Sequence, residues 1–291
     1  MTRVLSALVM LPAVIGTILF LPPEGTFVLA LVAAVLAFSE YSRIARALGV
    51  SVPGGIGAAA VVLVAYGMWR DGRPADMLSM SGAAGFEANV VYLVLMAGLI
   101  VVGGLSIARG RPAPGVLADA AATMFAPIYL GLPLGALAAL RGVVGGYAVR
   151  SDFAGSFGDG RVVVLLLLLI IVVSDSAQYY TGRALGRHPL SPAISPKKTV
   201  EGAIGGVVFG TLAMVIGGHY VFRSPLWMLA LLGATIALLG IVGDLFESLL
   251  KRSAGVKDSS NLIPGHGGVL DRIDSWLFAA PVYYAYVRFL A

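Results

Sequence analysis

Long apolar segments separated by short polar ones are the dominant pattern along this chain. Runs with few charged residues lie at about 4–21, 26–42, 54–69, 90–108, 116–140, 162–182, 203–222, 226–250 and 275–290. A helix needs roughly 20 apolar residues to cross the hydrocarbon core of a bilayer. The short alternating segments of a transmembrane β-barrel are not seen. The pattern therefore predicts an all-α, polytopic transmembrane helical bundle of about nine spans.

Two of these runs leave alternatives open. The run at 116–140 contains Pro127 and Pro133, so it is either one kinked helix or two short ones, and eight to ten spans fit the pattern. A cleavable signal peptide is the alternative for the first run. However, the residues from Leu21 to Glu24 do not resemble a small-residue cleavage site, and another apolar run follows at once. We therefore expect the first run to be a transmembrane helix.

The composition supports a membrane protein and excludes several other classes. Only 12% of the 291 residues are charged, whereas a soluble domain has roughly 25%. The net charge is +5, but no basic stripe with interleaved aromatic residues indicates a nucleic-acid surface. The chain has no cysteine, which excludes disulfides, thiolate metal sites and a cysteine nucleophile.

The distribution of lysine and arginine predicts an orientation. With nine spans and a cytoplasmic N-terminus, 13 of the 20 basic residues fall in cytoplasmic segments and 7 on the opposite side. This bias has the sign of the positive-inside rule. It places the polar motifs of the C-terminal half in the cytoplasm, whereas splitting the fifth run would move them outside. We expect residues 1–160 to provide packing and lipid access, with a glycine-rich connector at 141–161, and residues 161–291 to form the catalytic region.

The end of the eighth run carries a polar helical stripe. Asp244, Ser248 and Lys251 are spaced i, i+4, i+7 and share one helical face, and Glu247 is spaced to pair with Lys251. An ordinary polar helix end with a salt bridge is the alternative. Asp244 favours a functional site, because it follows an apolar stretch directly and an unpaired carboxylate there would be costly.

A glycine-rich turn and two more aspartates follow this stripe. Residues 264–268 hold three glycines and His266, a composition that lets a backbone approach a ligand closely, although a tight turn would explain it equally. Asp271 and Asp274 open the last run, where helix capping is the alternative role. A hairpin between the last two runs would bring Asp271 near Asp244. Such carboxylates suit Mg²⁺, which takes one or two of them together with substrate phosphates.

A second polar cluster lies upstream. Asp175 follows the most apolar stretch of the chain, and Lys197 and Lys198 are candidate phosphate ligands. Anchoring at the cytoplasmic face would also explain these lysines, and Lys197 is spaced to pair with Glu201. Neither explanation accounts for the Ser-Pro pair before the lysines or for Gly205 and Gly206 after them.

Together these motifs resemble the phosphatidate cytidylyltransferase (CDP-diacylglycerol synthase) family. The main segment of the resemblance spans 27 residues and reads Ser248-x-Leu-Lys251-Arg252-x4-Lys257-Asp258-x-Ser260-x2-Ile263-Pro264-x-His266-Gly-Gly268-Val-x-Asp271-Arg272-Ile-Asp274. The upstream segments read Asp175-Ser-x2-Tyr179-x2-Gly182-x3-Gly186 and Ser195-Pro-x-Lys198-Thr-x-Glu201-Gly202. The resemblance covers roughly residues 175–275, and the N-terminal half carries no matching motif. Gln178 stands where bacterial relatives often have a small residue.

The resemblance implies a Mg²⁺-dependent reaction of CTP with phosphatidate that yields CDP-diacylglycerol and pyrophosphate, with a second cation as an option. The implied metal ligands are Asp244 and Asp271, followed by Asp274 and Asp175. The implied catalytic residues are Lys198, Asp244, Ser248, Lys251 and Asp271. The implied substrate-binding residues are Tyr179, Ser195, Lys197, Arg252, Lys257, Asp258, His266, Gly267, Gly268 and Arg272. A cell-membrane location with a cytoplasmic active site follows, and a homodimer is compatible with it.

Other function classes fit the sequence less well. A CDP-alcohol phosphotransferase would show a compact run of aspartates around Asp-Gly-x2-Ala-Arg, whereas the acids here are spread over two regions. A membrane lipid kinase is a further alternative. An ion-coupled transporter would place matching polar motifs in both halves, whereas these motifs all lie in the C-terminal half. A purely structural membrane protein would leave the clustered charges unexplained.

Overall fold

The computed structural model describes residues 2–71, 90–108, 114–142 and 159–291, and their side chains from residue 8 onward except at 71 and 159. Most of the predicted glycine-rich connector at 141–161 lies outside the described residues. The same is true of four arginines used in the orientation argument, namely Arg73, Arg109, Arg111 and Arg150.

The described part of the chain is almost entirely helical. The first half contains α1 (Thr2–Phe20), α2 (Pro23–Ala47), α3 (Gly54–Asp71), α4 (Val90–Ala108), α5 (Val116–Ala126), a π-helical turn (Pro127–Gly131) and α6 (Leu132–Arg141). The second half contains α7 (Asp159–Leu185), β1 (Pro189–Ser191), β2 (Ser195–Thr199), α8 (Val200–Val221), α9 (Leu226–Ser253) and α10 (Leu270–Phe289). The two strands form one antiparallel hairpin.

The helices confirm the prediction of an all-α polytopic membrane protein. Six helical segments are long and apolar enough to cross a bilayer: Pro23–Ala47, Val90–Ala108, Val116–Arg141, Gly160–Leu185, Val200–Val221 and Leu226–Ser253. Shorter apolar helical stretches lie at Leu8–Phe20 and Gly54–Arg70. The last predicted run corresponds to α10.

The fifth apolar run is one continuous helical segment. The π-helical turn at Pro127–Gly131 joins α5 to α6 without a loop. A wider turn of this kind absorbs a proline, because the ring removes one backbone donor from the regular helical ladder. Gly131 and Gly135 lie against α3, where an added Cβ would come within 2.6 Å of the carbonyl oxygens of Val61 and Ala65. The two backbones therefore pack at a distance that only glycine permits.

The core consists of two apolar clusters that share α10. The C-terminal helices α7, α8, α9 and α10 pack against one another in sequence order. Tyr283 of α10 is completely buried among them and donates a hydrogen bond to the carbonyl oxygen of Val163 (3.1 Å). On another face of α10, Leu270 and Leu277 pack into a second cluster formed with α2, α3, α5 and α6. Helix α10 therefore joins the two halves of the chain, while the functional division at residue 160 stays a prediction.

Glycines bring α7 and α8 into close contact beside the second polar cluster. An added Cβ at Gly202 would lie 2.7 Å from the carbonyl oxygen of Gln178, and one at Gly205 would lie 2.4 Å from the Thr181 hydroxyl. Gly206 approaches the carbonyl oxygen of Ser174 in the same way (3.1 Å). Small residues are typical of tightly packed helices in membranes. The glycines that follow the two lysines are therefore explained by helix packing.

Candidate active site

An ion pair connects the two polar motif regions. Lys198 lies on β2, immediately before α8, and its ammonium group contacts the carboxylate of Asp244 on α9. The side chains are 16% and 34% exposed, so the pair is partly accessible to a ligand. The carboxylate of Asp244 therefore has the cation partner that its place in an apolar helix requires.

The predicted polar stripe of α9 divides into two parts. The Ser248 hydroxyl lies 3.4 Å from Asp244 Oδ1, which keeps these two residues together. Lys251 instead turns away from Asp244 and pairs with Glu247 and with Asp271. The Glu247–Lys251 pair expected from the i, i+4 spacing is confirmed. Because Glu247 is completely buried, Lys251 is needed as its counterion.

Asp271 is held by four donors. Its Oδ1 receives the Lys251 ammonium group. Its Oδ2 accepts hydrogen bonds from the backbone amide and hydroxyl of Ser259 (2.9 and 2.8 Å) and from the amide of Gly268 (2.7 Å). An added Cβ at Gly267, whose φ is +81°, would lie 2.5 Å from the same oxygen. The glycine-rich turn therefore wraps this carboxylate closely.

Glu40 completes the same network from the N-terminal half. This side chain of α2 is completely buried. It accepts hydrogen bonds from the hydroxyls of Ser259 and Ser260 and from the amides of Val269 and Leu270. Sequence reasoning missed Glu40, although an acid within the apolar run at 26–42 was a usable signal. It missed Ser259 as well, because the family motif allows any residue at that position.

Three of the four predicted metal ligands form an electrostatic cluster. The charge of Asp244 acts on both Asp175 and Asp274, and the latter two also interact with each other. One oxygen of Asp274 accepts a hydrogen bond from the amide of Ser275 (2.8 Å). Asp271 differs, because its two oxygens are engaged by the donors described above. Asp175 of α7, Asp244 of α9 and Asp274 of α10 therefore influence one another electrostatically.

The carboxylates of this cluster suit Mg²⁺ as one part of a site that water and substrate phosphates complete. Among the described residues, no group of three or more histidine, cysteine, aspartate or glutamate side chains is arranged so that it could hold a metal ion. Mg²⁺ does not need one, because it is usually held by one or two carboxylates and completed by water and substrate phosphates. Asp244, with an accessible carboxylate and two acidic neighbours, fits such an incomplete site.

The predicted substrate-binding residues of the C-terminal motif differ in their exposure. Arg252, Lys257, Asp258 and Arg272 are exposed. Arg252 donates to the carbonyl oxygen of Val256 (3.1 Å), and the charge of Arg272 acts on Asp175. His266 lies partly buried in a tight turn, in which its amide donates to the carbonyl oxygen of Ile263 (2.9 Å). Their roles in binding stay predictions.

The predicted residues around β2 and α7 also differ in their surroundings. Ser195 and Lys197 lie on β2, with the lysine exposed. Lys197 does not make the expected pair with Glu201, which instead accepts from the amide of His188 (3.3 Å) and contacts its Nδ1 (2.6 Å). Tyr179 is exposed on α7 and lies 3.5 Å from the guanidinium group of Arg183.

Comparisons with known proteins assign the chain to a family. The model of the cytidylyltransferase family matches residues 1–290. The chain is similar to the phosphatidate cytidylyltransferase of Staphylococcus haemolyticus, at 31% identity over 94% of this chain and 95% of the relative. It is also similar to proteins of that name from Synechocystis (47% identity over 46% of each chain) and Aquifex aeolicus (45% identity over 38% of this chain and 41% of the relative). The chain is a membrane-embedded nucleotidyltransferase that belongs to the cytidylyltransferase family.

Proposed function

We propose that this protein transfers the cytidylyl group of CTP to phosphatidate and releases pyrophosphate. The observation that carries this proposal is the Lys198–Asp244 pair, which joins two motif regions at the ends of apolar helices. At the ends of these helices, the Lys198 cation suits the phosphates of a nucleotide and of a lipid. The nearby carboxylates suit a metal ion that binds the same phosphates. The names of relatives that match over nearly their whole length support the same substrates.

The reaction requires positioning and charge neutralisation more than covalent chemistry. A phosphatidate phosphate oxygen attacks the α-phosphorus of CTP, the bond from that phosphorus to the bridging oxygen breaks, and pyrophosphate leaves. Lys198 would neutralise charge on the phosphates at the centre. The exposed cations Arg252, Lys257 and Arg272 would bind the polyphosphate at its rim. Preorganised charges of this kind supply most of the catalysis in phosphoryl transfer.

Mg²⁺ would be the metal at this site, because it prefers the oxygen ligands that carboxylates and phosphates supply. Asp244 would hold it, with Asp274 or Asp175 as a second carboxylate and the substrate phosphates as further ligands. When bound, it neutralises the charge that develops on the phosphate oxygens. Asp271 would instead fix Lys251 and the glycine-rich turn, because both of its oxygens already have donors. A second cation stays an open part of this proposal.

We further propose that the site faces the cytoplasm of the cell membrane. CTP is a soluble nucleotide, whereas the acyl chains of phosphatidate stay in the bilayer. A site at the ends of membrane helices gives both substrates access from their own phases. The bias of basic residues supports this orientation.

Formation of the product from labelled CTP and dispersed phosphatidate tests the proposal. The purified full-length protein in detergent should form CDP-diacylglycerol with MgCl₂ present and should lose this activity in excess EDTA. Parallel reactions with ATP and diacylglycerol test for a lipid kinase, and reactions with CDP-diacylglycerol and an alcohol test for a phosphotransferase. Product in either parallel reaction, with none from CTP and phosphatidate, would overturn the assignment.

A further inference from the structure

A buried carboxylate of the N-terminal half reaches into the active-site loop of the C-terminal half. Glu40 lies on α2. Among the described residues, the groups that donate hydrogen bonds to its side chain all lie between residues 259 and 270. We propose that Glu40 is a positioning residue that sets the geometry of this loop, and through it the geometry of Asp271 and Lys251. The inference deepens the proposed function and rests on it wherever turnover is measured.

Each oxygen of Glu40 serves one hydroxyl and one backbone amide. Oε1 accepts from the Ser260 hydroxyl (2.6 Å) and from the Val269 amide (3.0 Å). Oε2 accepts from the Ser259 hydroxyl (3.0 Å) and from the Leu270 amide (2.7 Å). The carboxylate therefore spans the loop, with donors from its start and from its end.

The two amides explain why a carboxylate occupies this place. The first amides of a helix have no partner within the helix, and Val269 and Leu270 open α10 without a side-chain cap of their own. Glu40 supplies the missing acceptors from a different helix. A negative charge at a helix N-terminus is also favourable. Glu40 thus fixes where α10 begins, and α10 carries Asp271 and Asp274.

A chain of contacts leads from Glu40 to Lys251, one of the predicted catalytic residues. The Ser259 hydroxyl shares its one proton between Glu40 Oε2 (3.0 Å) and Asp271 Oδ2 (2.8 Å), and Asp271 in turn pairs with Lys251. Gly268 closes the cluster tightly, because an added Cβ would lie 2.1 Å from the Ser259 hydroxyl and 2.4 Å from Glu40 Oε1. These groups are so closely packed that a substitution at Glu40 should displace the loop.

The substitution Glu40→Gln tests this role with the smallest change of shape. An amide has one acceptor oxygen and one NH₂ group, and the latter only donates. Whichever way the amide is oriented, its NH₂ group faces a backbone amide that also donates. The loop must then shift to relieve the contact. A misplacement of about 1 Å at a reacting centre can reduce turnover roughly 10²-fold.

Ser42 provides a matched control on the same helix. It is also buried, and within the described residues its hydroxyl has no hydrogen-bond partner. Ser42→Ala therefore removes a buried oxygen from α2 without touching the loop. Ser260→Ala is a second, milder variant, since it removes one donor to Glu40 and leaves the carboxylate in place.

The three variants are compared with the unmodified protein by two readouts. The first is kcat and KM for CTP, expressed per folded molecule. We expect kcat to fall at least tenfold in Glu40→Gln, two- to tenfold in Ser260→Ala as for one lost hydrogen bond, and less than twofold in Ser42→Ala. The second readout is amide hydrogen exchange of residues 258–270, which should be faster in Glu40→Gln and unchanged in Ser42→Ala.

The outcomes separate this inference from the proposed function. A Glu40→Gln protein with normal kcat and normal exchange in residues 258–270 overturns the positioning role. Lower thermal stability with normal kcat per folded molecule would assign Glu40 a purely structural role and also overturn it. If Glu40→Gln does not fold, the Ser260→Ala variant decides. A kcat for Ser260→Ala equal to that of Ser42→Ala would overturn the positioning role. Absence of CDP-diacylglycerol synthesis in the unmodified protein refutes the proposed function, whereas the exchange measurement needs no substrate and still tests whether Glu40 holds the loop at 258–270.

Discussion

At the scale of single residues, aspartates with the same chemistry have different surroundings. Asp244 is one third exposed and has one cation beside it. The side chain of Asp271 is only 5% exposed and is surrounded by four donors. The resemblance implied that both are metal ligands, and the sequence could not distinguish their surroundings, because these depend on a loop that folds back over Asp271.

This difference predicts that Asp271→Asn destabilises the protein much more than Asp244→Asn. Asp271→Asn breaks the buried pair with Lys251 and leaves one acceptor oxygen where two now receive four donors. Breaking a buried pair in this way costs about 3–5 kcal/mol, whereas an accessible pair such as Lys198–Asp244 contributes less than about 1 kcal/mol. Thermal unfolding in detergent should therefore shift strongly for Asp271→Asn alone. Equal shifts for the two variants would contradict the assignment of Asp271 to the buried network.

Asp244→Asn should act on turnover instead. The variant keeps the shape of the side chain but loses the charge next to Lys198 and Ser248. We expect CDP-diacylglycerol formation to fall about 10²-fold, as for the loss of one preorganised charged group, and the remaining activity to require more MgCl₂. Titrating MgCl₂ in the activity assay measures both effects. Near-normal turnover with an unchanged MgCl₂ requirement would remove Asp244 from the metal site.

The two adjacent lysines of β2 provide a matched pair. Successive side chains of a strand point to opposite faces. Accordingly, Lys198 pairs with Asp244, while Lys197 is exposed. We expect Lys198→Ala to reduce kcat about 10²-fold and Lys197→Ala to reduce it less than tenfold. A larger loss for Lys197→Ala would mean that the outer lysine is the main phosphate ligand.

At the scale of helices and strands, the apolar runs predicted the helices, six of which are long and apolar enough to cross a bilayer, because length and hydropathy decide what can cross it. The contacts between helices were not predictable in the same way. The resemblance drew attention to Gly182 and Gly202, but the structure assigns them to the contact between α7 and α8. Likewise, Pro127 and Pro133 left one span or two open, and a π-helical turn preserves a single helical segment. Such details depend on the neighbouring helix, which the local sequence does not contain.

The close contact of α6 with α3 predicts a specific sensitivity to volume. In Gly135→Ala the new methyl group would meet the carbonyl oxygen of Ala65 at 2.6 Å, and that backbone cannot move alone. Overpacking of this kind costs about 1–3 kcal/mol. Gly103→Ala on α4 is the control, since an added Cβ there has nothing within 4 Å. The thermal midpoint should fall for Gly135→Ala and stay constant or rise for Gly103→Ala. The opposite order would show that α3 and α6 are not in close contact.

At the scale of the whole molecule, contacts between helix ends agree with the alternating topology. Glu40, near the C-terminal end of α2, bonds the loop between α9 and α10. Arg141, at the end of α6, donates to the carbonyl oxygens of Ile18 and Leu21 at the end of α1 (3.1 and 3.0 Å). The nine-span prediction places the C-terminal ends of α2 and α9 on the cytoplasmic side, and those of α1 and α6 on the opposite side. The sequence could suggest this arrangement only through charge bias, because Glu40 and its partners are more than 200 residues apart.

The absence of cysteine from the chain makes the orientation directly measurable. Single cysteines can be placed at Leu48 after α2, at Val256 after α9 and at the terminal Ala291. The first two residues are exposed and lie on the cytoplasmic side in the nine-span prediction. Ala291 lies beyond α10, whose 20 residues span about 30 Å, and is predicted on the opposite side. With a membrane-impermeant maleimide, intact cells should label Ala291→Cys only, and permeabilised cells should label all three variants. Labelling of Val256→Cys in intact cells would place the active site outside, where CTP is not supplied, and would refute the proposed cytoplasmic orientation.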